Sequence, residues 1–453
     1  MPLSALLGRV NELLAGLVWG APMLAVFLFA GALLTLRTSA FQFRRFGFWL
    51  RSTFGSLFKK EGAGQNRDAH TITQRQALTS ALAACLGTGN IVGVATALRL
   101  GGAGAIFWMW VSAALGMMTC CAENILSIRY RWRTASGSWM GGPMAYLQKG
   151  LGSKALAGSY AALLSLASFG IGNMTQANAI VQAARESFSL APPAVGLALS
   201  ALVGLVIFGG LRRIARVTEF VVPFMTGLFL LAGLAVIAVN AGALPGALGS
   251  IFREAFRLRA GVGGAAGYGI GKALRYGVAR GVFSNEAGLG SSAVIHAAAD
   301  VERPATQGLW GIAEVFLDTI VMCTVTALAM LCSGAWRPGG GPEGVALAAQ
   351  SFASVFGLWG ERFTALSIAL FAFATLTGWS FYGEQGARYL LGEKSVKYYR
   401  GLYVAAVLLG SLLRLETVWS VSDTLNGLMA IPNLVGVVLL SGQAARELKA
   451  AEA

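Results

Sequence analysis

Apolar residues run in long stretches along almost the whole chain, and polar clusters interrupt them only briefly. A window of about 20 residues, the length of helix that crosses the hydrocarbon core of a bilayer, finds about eleven such stretches. They lie near 15–36, 76–99, 104–128, 155–184, 193–211, 218–240, 260–280, 305–334, 362–391, 400–415 and 422–445. The pattern predicts an all-α integral membrane protein with short connections between its helices.

The most informative stretch is residues 81–98, ALAACLGTGNIVGVATAL, which is broken at its centre by Gly87-Thr88-Gly89-Asn90. Glycine weakens a helix, and a freed backbone group in hydrocarbon costs several kcal/mol unless protein, ion or ligand satisfies it. A break at membrane depth is therefore expected only where it lines a cavity. Freed carbonyls can hold a small cation and freed amides can hold a carboxylate, so the break indicates a solute carrier.

A second glycine cluster occupies a corresponding position later in the chain. Once the first stretch is set aside, ten segments remain, and they divide into two sets of five. The first segment of the second set contains the glycine cluster at 261–267 and runs opposite to the first broken helix. The pair predicts a 5+5 inverted repeat with discontinuous first and sixth core helices, although tight helix packing is the simpler explanation of glycine. The expected units are an N-terminal helix with a basic loop at 1–60, a first repeat at 61–241 and a second repeat at 242–453.

Composition and charge fit a membrane setting. Hydrophobic residues make up 56% of the chain and charged residues 12%, and the mean hydropathy is +0.64. The net charge of +15 is concentrated in loops, for example around Arg44, Arg45, Lys59 and Lys60, which the positive-inside rule places in the cytoplasm. We therefore expect a multi-pass protein of the inner membrane with its N-terminus outside and its C-terminus in the cytoplasm. The stretch 253–259 is an exception to the rule.

The sequence contains few of the residue patterns that are typical of an enzyme active site. Its two histidines, His70 and His296, form no metal-ligand spacing such as HExxH, and its glycine pairs do not continue into a phosphate-binding loop. The five cysteines lie in apolar segments and fit buried small residues better than a disulfide or zinc framework. A channel or facilitator for small neutral solutes, without ion coupling, stays open as the alternative, because broken helices also build filters.

Several motifs resemble those of the alanine/glycine:cation symporter family. They are ALTSALAACLGTGNIVGVATAL followed by GGAGAIFWMW, GGPMAYLQKGLG at 141–152, GIGNMTQAN at 170–178, GVARGVFSNEAGLGSSAVIHAAA at 277–299, EVFLDTIVMCTVTAL at 314–328, LFAFATLTGWSFYGE at 370–384 and NGLMAIPNL at 426–434. The matches follow in order over nearly the whole chain. The resemblance implies a leucine-transporter-type fold with one extra N-terminal helix. It also implies sodium-driven, or alternatively proton-driven, uptake of alanine or glycine.

The expected substrate contacts begin at the first break. Thr88 and Gly89 can offer backbone amides to a substrate carboxylate, and Asn90 can offer its side-chain amide, with helix capping as its alternative. Gln176 and Asn173 lie three residues apart in an apolar helix and are expected to share a face. Gln176 matches the family's substrate-facing glutamine, whereas hydrogen bonding between helices is the alternative for both amides.

Three further residues are expected to limit the size of the pocket. Trp379 would cap it, with ordinary packing as the alternative. Gly263 and Gly264 would bring the backbone close to the substrate and leave little room for a long side chain. The pocket is therefore expected to suit alanine or glycine.

The resemblance to the leucine-transporter-type sodium site indicates where a cation would bind. It pairs the carbonyls of Ala83 and Leu86 with Phe371, Ala374 and Thr375 on the eighth core helix. Backbone and hydroxyl oxygens suit a hard cation such as sodium. The family often has a Ser-Thr pair where this chain has Ala374-Thr375, so Thr375 is the one side-chain ligand expected at this site.

Acidic residues within apolar stretches are functional candidates, because burying them is costly. Asp318 is the deepest and lies four residues from Glu314 on one helical face. These two are expected to act in a gate or a network, with structural pairing as the alternative. Asn285 and Glu286 carry strong family resemblance but are expected at the cytoplasmic end of their helix, as gate or hinge residues rather than substrate contacts.

Overall fold

A computed structural model describes residues 3–58, 71–257, 268–413 and 416–451, and most of this part of the chain is helical. The N-terminal region consists of α1 (Leu3–Val18), α2 (Ala21–Arg37), α3 (Phe41–Arg44), α4 (Phe46–Ser52) and a 3-10 turn, Phe54–Phe58. It is followed by α5 (Gln74–Cys85), a 3-10 turn (Thr88–Asn90), α6 (Val92–Gly101), α7 (Gly104–Tyr130), the antiparallel strands β1 (Trp132–Arg133) and β2 (Trp139–Met140), α8 (Pro143–Ala145) and a π turn, Tyr146–Gly150.

The remaining elements are helices and helical turns. They are α9 (Lys154–Phe169), a π turn (Gly170–Met174), α10 (Thr175–Phe188), α11 (Pro192–Ile207), α12 (Gly210–Val239), a 3-10 turn (Ala241–Ala243), α13 (Leu244–Ala255), α14 (Tyr268–Asn285), α15 (Ser292–His296), α16 (Pro304–Val315), a π turn (Phe316–Cys323), α17 (Thr324–Cys332), α18 (Gly344–Phe356), α19 (Leu358–Leu391), α20 (Ser395–Leu412) and α21 (Glu416–Ala450).

Wherever the structure describes them, the expected membrane segments coincide with helices. In the described part of the chain, seven helices are long and apolar enough to cross a membrane, or eight if the bent pair of α5 and α6 counts as one span. Two of the seven, Lys154–Phe188 and Pro304–Cys332, continue through a π turn. The other expected segments correspond to α11, α14 and α20, which are shorter or less apolar or adjoin residues outside the described ranges. An all-α membrane protein is therefore confirmed.

Small residues let the helices of the core approach closely. α7 packs against α14 and α16, and α19 packs against α5, α9 and α10. A Cβ atom on Gly311 of α16 would lie 2.9 Å from the carbonyl carbon of Cys120 on α7. On α19, a Cβ atom on Gly378 would lie 3.1 Å from the Cβ of Ala84 on α5. The glycines at these contacts serve close helix packing, as they often do in membranes.

Local sequence builds the first break. Thr73 begins α5 with a capping box: its hydroxyl oxygen accepts a hydrogen bond from the Gln76 amide at 3.0 Å, and the Gln76 side chain accepts one from the Thr73 amide at 3.1 Å. After an extended Gly87, the helical residues 88–101 continue at an angle of 59° to α5. A Cβ atom on Gly87 would lie 2.6 Å from Thr375 Oγ1, so this close approach requires glycine. The break predicted from the sequence is confirmed.

The second break within the described residues lies at 286–291, between α14 and α15. Glu286, Gly288 and Gly290 have φ angles of 57°, 93° and 74°, in the left-handed region that ends a helix. The glycine cluster at 261–267, where the sequence placed this break, lies outside the described residues. The break that the structure describes, at 286–291, includes Glu286, which we expected at the cytoplasmic end of its helix.

Side chains from three other helices satisfy the backbone of this second break. The Gly288 amide donates to Glu123 Oε1 at 3.0 Å, and the Gly288 carbonyl accepts from Asn433 Nδ2 at 2.8 Å. The Tyr160 hydroxyl donates to the Leu289 carbonyl at 3.0 Å. α7, α9 and α21 thus provide the hydrogen-bond partners that irregular backbone needs at membrane depth.

Candidate substrate and ion site

The two breaks meet at a small buried cavity. Its volume is about 20 Å³, close to the least that holds one water molecule. The first break, α10, α14, α19 and α21 all contribute to its lining. The lining residues are Ala84, Cys85, Gly87, Thr88, Gly89, Ile171, Gln176, Phe283, Glu286, Thr375, Trp379 and Asn426. The structure thus brings the expected substrate residues Thr88, Gly89, Gln176 and Trp379 together.

Two side-chain oxygens at this cavity have no hydrogen-bond partner among the described residues. Gln176 donates through Nε2 to the Ile171 carbonyl at 3.0 Å, which leaves its Oε1 unpaired. Asn426 Oδ1 on α21 is also buried and unpaired. Buried polar atoms in proteins normally have partners, and these two oxygens are free to accept hydrogen bonds from a ligand in the cavity.

Glu286 is the charged side chain of the cavity. Its Oε1 accepts a hydrogen bond from Trp379 Nε1 at 3.0 Å, and its Oε2 accepts one from the Ser291 hydroxyl. Glu286 is only 4% exposed. We expected Glu286 at a cytoplasmic helix end and not in contact with substrate; the structure places it in the second break, where it lines the cavity. A role as a gate or hinge stays a prediction.

Asn90 faces a network rather than the cavity. Its Oδ1 accepts from the Gly87 amide at 3.2 Å, and its Nδ2 donates to Asp318 Oδ1 at 2.7 Å. The Thr319 hydroxyl donates to Asp318 Oδ2 at 2.7 Å, and Asn285 Nδ2 donates to the Thr319 oxygen at 3.0 Å. Asn90 is not among the lining residues, and its contact with Gly87 corresponds to the capping alternative. Asp318 connects the two breaks through hydrogen bonds.

Glu314 has different partners from Asp318. Its Oε2 lies 3.1 Å from His296 Nε2, and His296 Nδ1 contacts Gln307 Nε2. A π turn covers Asp318 and alters the helical repeat on which the shared face was expected. Glu314 therefore has the pairing that was the structural alternative. Gating by either acid stays a prediction.

Asn173 and Gln176 do not share a face. Asn173 Nδ2 donates to the Tyr403 carbonyl on α20 at 2.8 Å, whereas Gln176 faces the cavity. The expected (i, i+3) relation fails because Asn173 lies in the π turn Gly170–Met174, which has a wider repeat than an α-helix. Asn173 forms the interhelical hydrogen bond that was its alternative.

The Thr375 hydroxyl, expected at the sodium site, lies beside the cavity and joins α19 to α5. Thr375 Oγ1 lies 3.1 Å from the carbonyl oxygen of Ala83 and 3.1 Å from that of Phe371. Leu86 is the residue that follows α5, and Ala374 precedes Thr375 on α19; both are buried. Two carbonyls and one hydroxyl are hard ligands that fit sodium. Within the described ranges, no group of three or more His, Cys, Asp and Glu side chains could hold a metal ion.

Asn426 lines the cavity although the sequence did not indicate it as a site residue. The expected roles of Gly263 and Gly264 in limiting the pocket stay predictions. Asn426 opens the motif NGLMAIPNL and is an isolated amide in an apolar helix, which was the available signal. Gly263 and Gly264 lie outside the described residues.

Ion pairs lie on both sides of the cavity along the helices. On the side of the α14 N-terminus, Arg280 Nη1 is 3.7 Å from Asp423 Oδ2, one helical turn from the lining residues of α14 and α21. On the opposite side, Glu384 pairs with Arg388 at 2.9 Å and with Arg400 at 2.7 Å. The second group lines a cavity of about 350 Å³. The small cavity is therefore flanked by two layers of charged contacts.

Solved structures share this architecture. MhsT, solved in complex with L-phenylalanine, aligns with a TM-score of 0.58 at 12% identity, covering 85% of this chain and 100% of MhsT. A manganese transporter of Eremococcus coleocola aligns with a TM-score of 0.52 at 14% identity, covering 85% of this chain and 77% of the transporter. The leucine-transporter-type fold expected from the sequence is confirmed.

Sequence relatives are closer. The sodium/alanine symporter AgcS of Methanococcus maripaludis is 42% identical over 99% of this chain and 97% of its own length. The probable sodium/glutamine symporter GlnT of Bacillus subtilis is 37% identical over 97% of this chain and 88% of its own. These relatives give no support to the channel alternative. A model of the sodium:alanine symporter family matches residues 4–453. The chain therefore belongs to the sodium:alanine symporter family, a family of transporters.

Proposed function

We propose that this protein takes up alanine together with sodium by alternating access. The observation that carries the proposal is the convergence of two broken helices on one buried cavity, beside a set of hard oxygen ligands. Broken helices at a midplane site are typical of ion-coupled carriers. The relative AgcS, named as a sodium/alanine symporter, supports both cargoes.

The substrate carboxylate is proposed to bind at the first break. Thr88 and Gly89 lie in the 3-10 turn that precedes α6, so their amides lie at the positive end of that helix. Trp379 bounds the cavity, and a Cβ atom on Gly172 would lie 2.5 Å from its Cγ, so the indole is held in place by close packing. A site of this size favours alanine or glycine over longer side chains.

The coupling ion is proposed to be sodium, bound by the Thr375 hydroxyl and the carbonyls of Ala83, Leu86 and Phe371. Ala374 offers no side-chain oxygen, so the Thr375 hydroxyl is the one side-chain ligand of this set. Proton coupling is the alternative, which the experiment below distinguishes. Family membership favours sodium.

Alternating access is proposed to open one layer of ion pairs at a time. Breaking the Arg280–Asp423 pair would open the cavity on one side, and rearranging the contacts of Glu384 would open it on the other. The positive-inside rule supports an outer position for the Arg280–Asp423 pair. It also supports an inner-membrane protein with its N-terminus outside and its C-terminus in the cytoplasm. The moving parts are proposed to derive from the repeats at 61–241 and 242–453.

Uptake into proteoliposomes tests this proposal. Purified protein is reconstituted, and labelled alanine uptake is measured with an inward sodium gradient, with sodium equal on both sides, and with a proton gradient alone. We expect concentrative, saturable uptake with the sodium gradient. Concentrative uptake with a proton gradient in sodium-free medium would reject sodium coupling, and flux that never exceeds equilibrium under any gradient would reject symport.

A further inference from the structure

We propose that Glu286, Gln176 and Asn426 form a site for the substrate's ammonium group, with Glu286 as its charged ligand. This inference rests on the proposed function, because it assigns one end of the amino acid to one side of the cavity. All three side chains line the same cavity of about 20 Å³ and are at most 4% exposed. They come from three different helices or breaks, so the fold assembles the site.

The hydrogen-bond balance of the cavity favours a donor ligand. Gln176 Oε1 and Asn426 Oδ1 are buried acceptors without partners among the described residues. Both oxygens of Glu286 already accept hydrogen bonds, from Trp379 and Ser291, as an ionised carboxylate does. A carboxylate oxygen has a second lone pair and can accept again. An ammonium group brings three N–H donors, one for each acceptor side chain.

Electrostatics place the cationic end of the substrate on the same side. α14 ends at Asn285, so the negative end of its dipole lies next to Glu286. In the described part of the chain, no lysine or arginine forms an ion pair with Glu286. A buried carboxylate without a cationic partner is costly, and a substrate ammonium would supply that partner.

Backbone strain also points to a specific need for this carboxylate. Glu286 has a φ of 57°, a region that glycine adopts freely and that is strained for other residues. Glycines hold positive φ two and four residues later in the same break. The Trp379 indole fixes the Glu286 side chain toward the cavity, so the strained backbone and the indole together aim one charge at the substrate.

Binding measurements on purified full-length protein at saturating sodium test the assignment. L-Alanine and L-lactate, which carries a hydroxyl in place of the ammonium, are compared in the wild type, Glu286→Gln, Glu286→Asp and the control Glu254→Gln. Glu254 is a half-buried carboxylate on α13 that accepts from the Ala103 amide at 2.9 Å, away from the cavity. We expect Glu286→Gln to weaken alanine binding about ten- to a hundredfold, with little change for lactate. Glu286→Asp should lose less, and Glu254→Gln should match the wild type.

The preference for alanine over lactate is the decisive readout. An equal preference in the wild type and in Glu286→Gln would overturn the assignment while leaving sodium-coupled alanine uptake intact. If Glu286→Gln does not fold, Glu286→Asp decides the question with the same two ligands. A reduced preference for alanine over lactate supports the site, and a preference equal to that of the wild type contradicts it. A folded wild type that binds no alanine at all would remove the proposed function as well.

Discussion

Replacing Thr375 by valine tests the proposed sodium site most directly, because valine removes the hydroxyl and keeps the branched shape. Thr375 Oγ1 lies 3.1 Å from the Ala83 carbonyl and 3.1 Å from the Phe371 carbonyl, and the residue is 2% exposed. Thr377 offers a matched control on the same helix. It is fully buried, and its hydroxyl donates to the Ala374 carbonyl at 2.8 Å, away from the proposed ligands.

Thr375→Val is expected to lower both the stability of the protein and its affinity for sodium. Without sodium, Thr375→Val removes the hydrogen bond to Ala83, which lowers the free energy of unfolding by about 0.5–1.5 kcal/mol. With sodium, it removes an ion ligand, comparable to a hydrogen bond to a charged group and worth about 1.5–3 kcal/mol of binding free energy. The loss of binding free energy corresponds to a rise of about ten- to a hundredfold in the sodium concentration that gives half-maximal uptake.

Uptake of labelled alanine into proteoliposomes, over a grid of sodium and alanine concentrations, measures this effect. Because the coupling of two binding free energies is reciprocal, the apparent alanine affinity of Thr375→Val should fall at limiting sodium and recover at saturating sodium. Thr375→Ser and Thr377→Val should both stay close to the wild type. An unchanged sodium dependence in folded, inserted Thr375→Val would refute the placement of the ion site on α19 and would favour proton coupling.

Two further substitutions test packing and charge. In Gly172→Ala, the added Cβ would lie 2.5 Å from Trp379 Cγ. We therefore expect a loss of about 1–3 kcal/mol in the free energy of unfolding, together with weaker alanine binding. A thermal midpoint equal to that of the wild type would contradict this close contact. Burial alone raises the pKa of Glu393, but hydrogen bonds from Ser136 and the charge of Arg388 hold it below its usual 4.5. The ionised Glu393 carboxylate therefore contributes stability that is complete above pH 4.5 and is lost as the pH falls through the lower pKa of the folded state. Thermal unfolding of Glu393→Gln should depend less on acid pH than that of the wild type. An equal dependence would contradict this role of Glu393.

Long-range contacts explain why the sequence located the first break and missed the second. The first break could be located from neighbouring residues alone, since Gly87 and Gly89 interrupt an apolar helix. The second break depends on Glu123 and Asn433, which are far away along the chain. Local composition does not report such partners, and the glycine cluster at 261–267 on which the prediction rested lies outside the described residues.

Helical periodicity explains the errors among the site residues. Asn173 and Gln176 were assigned to one face on the repeat of an α-helix, but a π turn covers Asn173 and changes the angle between them. No simple feature of composition marks a π turn. The polar residues could therefore be predicted from the sequence, but not which neighbouring helix each side chain faces. Gln176 and Trp379, which lie beyond that turn or on a regular helix, both line the cavity, and their contact with the substrate stays a prediction.

The small volume of the cavity has a consequence for the transport cycle. A cavity of about 20 Å³ leaves no spare room around a small amino acid, so the lining side chains must adjust as alanine binds. Both layers of ion pairs are in contact around this small cavity. A carrier that could contract only around cargo would merely exchange one internal molecule for one external molecule. Net accumulation requires an unloaded return step, so both layers of ion pairs must also be able to close over the cavity when it carries no cargo.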